Sequence, residues 1–325
     1  GVAFGGSLNM RTDKTYLDTA NHVKLAFNGG MYNTFKEMGS LHMGSPKAGD
    51  GRFALNARFS KVNSDGFLYR TNSDLYSYFS DFGYYTDKTK VVLSFFGGNE
   101  KTGMGWDGVD YNTAYGIGGA DRRYNPAGEY TVTASDGSDS TVYYDNQTDN
   151  YAQQHVQLNI GHSFSPHWSL NATLFYSHGG GYYEQYKNKK FTYFGLDPYT
   201  DDEGVKQKKA YALYRKYLDN HFYGLVASSK YISEPVDVQF GATASNYMND
   251  HFGTLPFIAD PHYSALLPVN YEYYRSRGGK TDANVYAKTN WRIIHRQRER
   301  LTLYADLQYR FIDYRIDGIN DEDMS

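Results

Sequence analysis

The chain has 325 residues and a formal net charge of −3 at pH 7, it contains no cysteine, and 17% of its residues are aromatic. The absence of cysteine excludes disulfides, thiolate metal centres and thiol nucleophiles, and the small net charge gives no global field that would attract nucleic acid. The aromatic content excludes intrinsic disorder. No uncharged apolar run approaches the ~18–20 residues that a membrane-spanning helix needs, although a membrane strand needs only ~9–11 residues with every second one apolar.

Apolar residues recur at every second position along most of the chain. The pattern begins at Val23, Leu25 and Phe27, and such alternation predicts half-buried strands. Further segments of this kind cover residues 52–59, 156–164, 168–176, 236–244, 285–293 and 301–311. One face of each segment is polar or charged and the other is apolar. If the strands form a membrane barrel, we expect apolar residues such as Leu303 to face lipid and polar residues such as Thr302 to face the lumen. Only residues 205–218 resemble a helix, and we expect them to lie in a loop.

The connections between the predicted strands alternate in length. Short turns are expected at residues 47–51, 87–89, 165–167, 233–235 and 295–300. Long connections are expected at residues 64–73, 97–150, 179–220 and 249–280. A soluble β-sandwich also alternates apolar and polar residues, but it has no reason to place every long loop at one end. About ten strands with short turns on one rim and long loops on the other are typical of an outer-membrane barrel.

Tyrosine and tryptophan concentrate near the ends of the predicted strands. The residues concerned are Tyr69, Tyr76, Tyr78, Tyr84, Tyr85, Trp168, Tyr176, Trp291, Tyr309 and Tyr314. Amphipathic rings suit the headgroup level of a membrane, and barrels carry such girdles at both interfaces. The positions therefore predict two aromatic girdles, although half-buried aromatic residues on strands would give a similar pattern.

The sequence carries no catalytic motif, since H-E-x-x-H, G-x-S-x-G and Walker loops are absent. Residues 145–149 approach the spacing of a calcium loop but lack its glycine and its terminal glutamate. His178, His251 and His262 are expected to be exposed or hydrogen-bonded rather than metal ligands. The basic run at 295–300 contains an acid and predicts a solvated turn. We predict no catalytic residue, no cofactor, no metal site and no nucleic-acid partner.

Three of the long connections combine aromatic and cationic side chains, a combination that can hold a planar or anionic ligand by stacking and charge-assisted hydrogen bonds. Self-packing of long loops explains the same composition equally well. The candidate ligand-binding residues are Trp106, Tyr111, Arg122, Arg123, Tyr182, Tyr183, Tyr186, Tyr271, Tyr273, Tyr274, Arg275 and Arg277. Lys187, Lys189 and Lys190 lie beside them, and Arg275 with Arg277 is the favoured cationic pair.

Two regions resemble the TonB-dependent outer-membrane receptors. Residues 3–12, with the sequence AFGGSLNMRT, are similar to the last strand of that family's plug domain, where small residues allow close packing against the barrel wall. Residues 56–75 and 96–108 are similar to the early barrel strands and their loops. The likeness continues at residues 182–186 and 249–253, in the family's order, and covers essentially the whole chain.

The resemblance implies an all-β fold, namely the N-terminal half of a 22-stranded antiparallel transmembrane β-barrel that encloses a plug. Residues 1–20 would end the plug domain, and residues 21–325 would form about the first ten strands with long extracellular loops. The plug body and the energy-coupling box of the family are not found. Half an open barrel would leave two unpaired edges in the membrane. Because the sequence also starts at Gly1 rather than at Met, we expect a partial chain.

The function implied by the resemblance is active import of a scarce, bulky solute across the outer membrane, not catalysis. A ferric siderophore or haem is the expected solute, and cobalamin, a glycan or a peptide is the alternative within the family. The implied partners are the TonB inner-membrane complex, a small-molecule metal complex, outer-membrane lipid and, as an open case, a surface lipoprotein. A barrel enzyme or a soluble carbohydrate-binding protein is the alternative from another class.

Overall fold

The computed structural model describes residues 20–45, 47, 49–295 and 300–319. The strands are β1 (His22–Gly30), β2 (Thr34–Gly44), β3 (Gly51–Ser64), β4 (Ser73–Thr86), β5 (Thr89–Gly103), β6 (Glu129–Thr133), β7 (Asp139–Tyr143), β8 (Thr148–Ser163), β9 (Trp168–Lys190), β10 (Tyr199–Thr200), β11 (Lys206–Gln207), β12 (Lys209–Ile232), β13 (Val236–Ile258), β14 (Tyr271–His295) and β15 (Arg300–Gly318). The helices are α1 (Tyr111–Tyr115) and α2 (Pro261–Leu266), with 3-10 turns at Ile117–Gly119 and Phe191–Phe194.

Eleven of the described strands form one antiparallel sheet, in the order β1-β2-β3-β4-β5-β8-β9-β12-β13-β14-β15. Each strand pairs with the next long strand of the chain, so the sheet is an up-and-down meander. Two small hairpins, β6-β7 and β10-β11, stand apart from it. The single antiparallel sheet confirms the predicted fold class, with eleven strands where the sequence predicts about ten.

The register places the alternating apolar residues on one face of the sheet, here called the apolar face. Leu174 lies opposite Leu158 on one side and Leu225 on the other, for example. The remaining members include Leu25, Phe59, Phe82, Leu93, Phe240, Val285, Leu303 and Phe311. Many of these side chains are exposed, and Leu303 is 49% accessible. An exposed apolar face of this extent suits contact with lipid rather than water.

The opposite face, here called the polar face, carries the charged and amide side chains, as the alternation predicts. His42 Nδ1 lies 2.7 Å from Asn56 Oδ1, and Asn56 Nδ2 donates to Asp81 at 2.5 Å. Farther along the sheet, Arg292 Nη2 donates to Asp237 Oδ2 at 2.7 Å. The polar residues thus bond to one another across strands, which lowers the cost of removing them from bulk water.

Two bands of aromatic residues bound the apolar face of the described strands. The first band, near the short turns, contains Tyr84, Trp168, Tyr231 and Trp291, and the second contains Tyr76, Tyr78, Tyr176, Tyr223 and Tyr309. The bands are eight residues apart on β4, β9 and β12, which is about 26 Å along a strand and close to the ~25 Å apolar height of outer-membrane barrels. Tyr85 and Tyr314 lie on the polar face, and Tyr69 lies in the connection after β3, so these three predicted girdle members are wrong.

The strands continue well beyond the second aromatic band, and this corrects the predicted loop boundaries. The segments expected as loops at 97–150, 179–220 and 249–280 are largely strand, and the true connections are 104–147, 191–208 and 259–270. Residues 209–218, expected in a helix-like loop, belong to β12. Beyond the membrane no lipid selects apolar residues at alternate positions, so the sequence pattern fades while the backbone pairing persists.

A hydrophobic core lies at this far end of the sheet and is here called the second core, to distinguish it from the apolar face. It joins Phe191 and Phe194 of the connection after β9 to Tyr214 of β12, Leu255 of β13 and Tyr273 of β14. Phe191 and Phe194 are completely buried. The connection 191–208 therefore folds back onto the polar side of the extended strands.

The predicted plug segment at residues 1–20 lies outside the described residues except for Ala20, and so does most of the predicted turn at 295–300. The plug and the count of 22 strands stay predictions. Among residues 20–45, 47, 49–295 and 300–319, no helix is long and apolar enough to cross a membrane.

Candidate ligand-binding site

The extended ends of β9 and β12 bring lysine and tyrosine side chains together on the polar face. Tyr183 lies directly opposite Lys216 in the register of these strands. Because side chains alternate between faces, Lys187 and Lys189 follow Tyr183 on the same face of β9. We call these four residues, together with Tyr193 and Trp106, the lysine–tyrosine cluster.

Tyr193 lies at the centre of the cluster, in the 3-10 turn that follows β9. Lys189 Nζ lies 4.5 Å and Lys216 Nζ lies 5.4 Å from the centroid of its ring, distances at which cation–π attraction operates. The turn is fixed because Phe191 and Phe194, on either side of Tyr193, are buried in the second core. Burial of these two neighbours leaves the Tyr193 ring half-buried and directed toward the lysines.

The long connection 104–147 supplies the other wall of the cluster. The Trp106 ring meets the Tyr183 ring edge to face, with centroids 5.5 Å apart. Beside it, Lys187 Nζ lies 2.7 Å from Asp107 Oδ1. Trp106 is 58% exposed, so its ring remains accessible to a solute from outside.

Among the described residues, β8 pairs with β9 only as far as Tyr183. Beyond that point the connection 104–147 takes the place of a strand beside β9. The backbone N–H of Tyr186 donates instead to Gln147 Oε1 at 3.2 Å. On the apolar side, the buried Glu184 carboxylate accepts from Tyr144 at 2.6 Å and from Arg215 Nε at 2.5 Å. Burial, followed by the hydrogen bond to Glu184, raises the pKa of Tyr144 to about 12, so this phenol stays neutral and keeps donating at neutral pH.

The cluster concentrates positive charge. It brings together three lysines, of which Lys187 pairs with Asp107. Burial lowers the pKa of Lys189, and repulsion from Lys187 and Lys216 lowers it further. Lysines that repel one another in a partly desolvated place gain from a neighbouring negative charge, and the aromatic rings offer flat surfaces for stacking. The arrangement can therefore bind a partly planar anion.

Of the predicted ligand-binding residues, the structure brings Trp106 and Tyr183 together in this cluster. It places Tyr182 and Tyr186 on the other face of β9. The Arg215 guanidinium lies 4.9 Å from the Tyr182 ring centroid, and Tyr186 stacks on Tyr211 with centroids 5.5 Å apart. These two tyrosines pack the outer side of the extended strands.

Three predicted residues of the connection 104–147 hold that connection together. Arg123 Nε donates to the carbonyl of Phe67 at 2.8 Å, and Arg122 Nε donates to the carbonyl of Ala114 at 3.3 Å. The exposed Tyr111 packs against Tyr115 within α1, with ring centroids 4.6 Å apart. The two arginines thus have structural partners, and only Tyr111 presents its ring to solvent.

The five predicted residues at the start of β14 also contact other residues of the protein. Tyr273 and Tyr274 are buried in the second core, at 5% and 7% exposure, and Tyr271 packs against it. Arg275 pairs with Glu272 and Asp250, and Arg277 Nε lies 3.4 Å from Asp250. Their register puts both arginines on the apolar side of the sheet. The favoured cationic pair therefore has carboxylate partners and lies away from the lysine–tyrosine cluster, and its role in ligand binding stays a prediction.

Sequence reasoning missed two members of the cluster. Lys216 lies in the stretch expected to be a helix-like loop, and Tyr193 lies in a short turn with no signal of its own. A period of two does continue through Ala212, Tyr214 and Lys216 on one face, but only the register with β9 shows which residues meet them.

No protein-family model matches the sequence, and no curated protein matches it. Solved structures do match. BauA, the ferric preacinetobactin receptor from Acinetobacter baumannii, superimposes with a TM-score of 0.52 at 11% identity, over 91% of this chain and 41% of BauA. FpvA from P. aeruginosa, solved in complex with a heterologous pyoverdine and iron, gives 0.53 at 12% identity, over 92% of this chain and 37% of FpvA. The chain spans about two fifths of the length of these receptors, and it has the fold of part of their outer-membrane β-barrel, as its sequence predicts.

Proposed function

We propose that this chain is part of a TonB-dependent outer-membrane receptor that imports an anionic iron complex, most simply a ferric siderophore. The lysine–tyrosine cluster carries the proposal, because it brings three aromatic rings together with three lysines of the polar face of the sheet. In a barrel of this fold the polar face lines the lumen, so the cluster would stand at the outer entrance. Of the two matched receptors, BauA is described as the receptor for ferric preacinetobactin, and FpvA was solved bound to a pyoverdine and iron.

The chemistry of the cluster selects among solutes. Catecholate and carboxylate complexes of iron are anionic and partly flat, so they gain both from the Lys189 and Lys216 ammonium groups and from the Tyr193 and Trp106 rings. Haem shares these properties. Cobalamin is bulky and close to neutral, so its binding would depend little on the lysines. The lysines therefore favour an iron complex over cobalamin.

The remaining parts of the proposal rest on the likeness to these receptors. Import against a gradient needs energy, and in this family the TonB complex of the inner membrane supplies it through the plug. The apolar face, bounded by its aromatic bands, would contact outer-membrane lipid. A surface lipoprotein partner stays open.

The test is to replace Lys189 and Lys216 together by glutamine in the full-length protein, purified in detergent. Binding is followed by quenching of tryptophan fluorescence with a ferric catecholate, a ferric carboxylate complex, haem and cyanocobalamin. We expect the double variant to bind its anionic iron complex at least tenfold more weakly, since a hydrogen bond to a charged group contributes about 1.5–3 kcal/mol. The loss should be larger at low salt than at high salt.

Lys190→Gln is the matched control, because Lys190 is adjacent in sequence but exposed on the opposite face of β9. It should leave affinity unchanged. Tight cyanocobalamin binding together with unchanged affinity for every iron complex in the double variant would contradict the proposal and support a cobalamin importer.

A further inference from the structure

Two histidines and an aspartate lie close together on the apolar side of β9 and β12. His178 of β9 and His221 of β12 are directly opposite each other in the register, with ring centroids 4.7 Å apart. Asp219 precedes His221 by two residues and so shares its face. Asp219 Oδ1 lies 2.7 Å from His178 Nε2 and 3.8 Å from His221 Nε2. One ligand atom from each residue thus falls within 4.8 Å of the others.

We propose that His178, Asp219 and His221 bind a divalent first-row transition-metal cation, with Zn²⁺ the best match. Two imidazole nitrogens and one carboxylate oxygen are a donor set that Zn²⁺ accepts, and three protein ligands leave one tetrahedral position for water or another small ligand. Donor atoms of a tetrahedral zinc site lie about 3.4 Å apart at Zn–N and Zn–O distances of ~2.1 Å. The distances of 2.7 and 3.8 Å therefore bracket the spacing that the ion requires, and small side-chain rotations complete it.

A neighbouring tyrosine orients His221 in the way that metal sites orient their histidine ligands. His221 Nδ1 lies 2.8 Å from the Tyr176 hydroxyl. When Nδ1 donates to that hydroxyl, the lone pair of Nε2 is directed toward Asp219, and an outer hydrogen bond of this kind fixes the tautomer of a metal-binding histidine. The backbone ladder between β9 and β12 holds both histidines in place before any ion arrives.

The approach to the site is open. Gly180 lies opposite Asp219 and presents no side chain beside its carboxylate. The side chains of His178 and His221 are each 38% accessible, and that of Asp219 is 51% accessible. A hydrated cation can therefore reach all three donors from the outside without any movement of the backbone.

The site is separate from the lysine–tyrosine cluster and does not rest on the proposed function. It lies on the apolar side of the sheet, two residues beyond Tyr176 of the second aromatic band, where β9 and β12 leave the membrane level. A bound ion would cross-link these two strands through side chains at that level. The sequence shows no metal-ligand spacing for this site, because about 40 residues separate His178 from Asp219 and His221. Only the register of β9 with β12 brings the three residues together.

The experiment measures metal binding to the full-length protein in detergent, without a polyhistidine tag. Competition with a chromogenic zinc chelator should reveal one saturable site per chain, and Co²⁺ should give the intense visible absorption of a tetrahedral nitrogen–oxygen site. His178→Gln, Asp219→Asn and His221→Gln should each weaken Zn²⁺ binding at least tenfold and abolish the Co²⁺ band. His251→Gln, which alters an exposed histidine of the neighbouring strand β13 on the polar face, should change neither.

Binding of Zn²⁺ should also raise the melting temperature of the unmutated protein, because a ligand that binds only the folded state stabilises it. The three variants should lose this rise. Absence of a saturable site and of a Co²⁺ band in the unmutated protein would overturn the proposal without reference to any variant. Equal Zn²⁺ affinity in the unmutated protein and the three variants would assign the ion to other residues and overturn it as well.

Discussion

Lys187 and Asp107 form an ion pair with Nζ 2.7 Å from Oδ1, although eighty residues separate them in the chain. The contact ties the connection 104–147 to the polar face of β9, beside the ring contact of Trp106 with Tyr183. Each partner is about one-third exposed, so the pair contributes little to stability, roughly 0.2–1 kcal/mol. Its main effect is on charge, since it neutralises one of three neighbouring lysines.

Removal of that carboxylate should therefore strengthen binding of an anion. We expect Asp107→Asn to bind an anionic iron complex about two- to tenfold more tightly, because two unit charges about 4 Å apart in water repel each other by about 1 kcal/mol. The gain should disappear at high salt. Isothermal titration at two salt concentrations measures it. Weaker binding in Asp107→Asn would show instead that the ion pair matters chiefly by positioning Trp106.

The protonation of Lys189 should make anion binding depend on pH. Burial, and then the charges of Lys187 and Lys216, lower the pKa of Lys189, so this amine loses its proton at a lower pH than an ordinary lysine. Affinity for an anion should consequently fall as the pH rises through this lowered value. Lys189→Arg keeps the charge, because a guanidinium stays protonated, and should remove that part of the fall. Identical pH profiles for Lys189→Arg and the unmutated protein would exclude Lys189 as the titrating group.

The alternation of Leu303 with Thr302 and of Leu174 with Thr173 was sufficient to predict the faces of the sheet, because lipid contact demands apolar residues at every second position. The ends of the strands could not be predicted in this way. Beyond Tyr176 the outward positions of β9 carry His178, Tyr182 and Glu184 rather than aliphatic residues, so the segment resembles a loop although it remains paired.

The members of the lysine–tyrosine cluster could also be predicted only where the sequence carries a local pattern. Trp106 and Tyr183 could be selected because aromatic residues beside lysines are a local signal. Lys216 could not, because its neighbours follow from the pairing of β9 with β12. Arg275 and Arg277 are residues that the sequence favours but whose partners it does not show. Their charge is visible in the sequence, but their acidic partner Asp250 is brought close only by the pairing of β13 with β14.

The second core should be a unit that opens separately from the rest of the sheet. Phe194 is completely buried in it, and removal of a buried phenylalanine side chain typically costs about 3–5 kcal/mol. We expect Phe194→Ala to accelerate proteolysis within residues 191–208, while the barrel still resists unfolding by dodecyl sulfate at room temperature. Val205→Ala, at a residue of the same connection that is 52% exposed, is the control and should be cleaved at the original rate. If Phe194→Ala is no more sensitive than this control, the core does not hold the connection.

The orientation of the sheet can be tested with one pair of neighbouring residues. Leu225 lies on the apolar face opposite Leu174, and Val226 lies on the polar face opposite Thr173. Both are aliphatic and comparably exposed, at 38% and 45%, so replacement of each by arginine differs chiefly in the surroundings of the new charge. Leu225 lies between the aromatic bands, where an arginine on the lipid side costs roughly 2–4 kcal/mol at the midplane and less toward the bands, whereas lumen positions tolerate charge. We therefore expect Leu225→Arg in the full-length protein to reduce the fraction that folds into lipid vesicles, measured by the heat-dependent shift in electrophoretic mobility, and Val226→Arg to fold normally. Greater damage from Val226→Arg would mean that the two faces have been assigned in reverse.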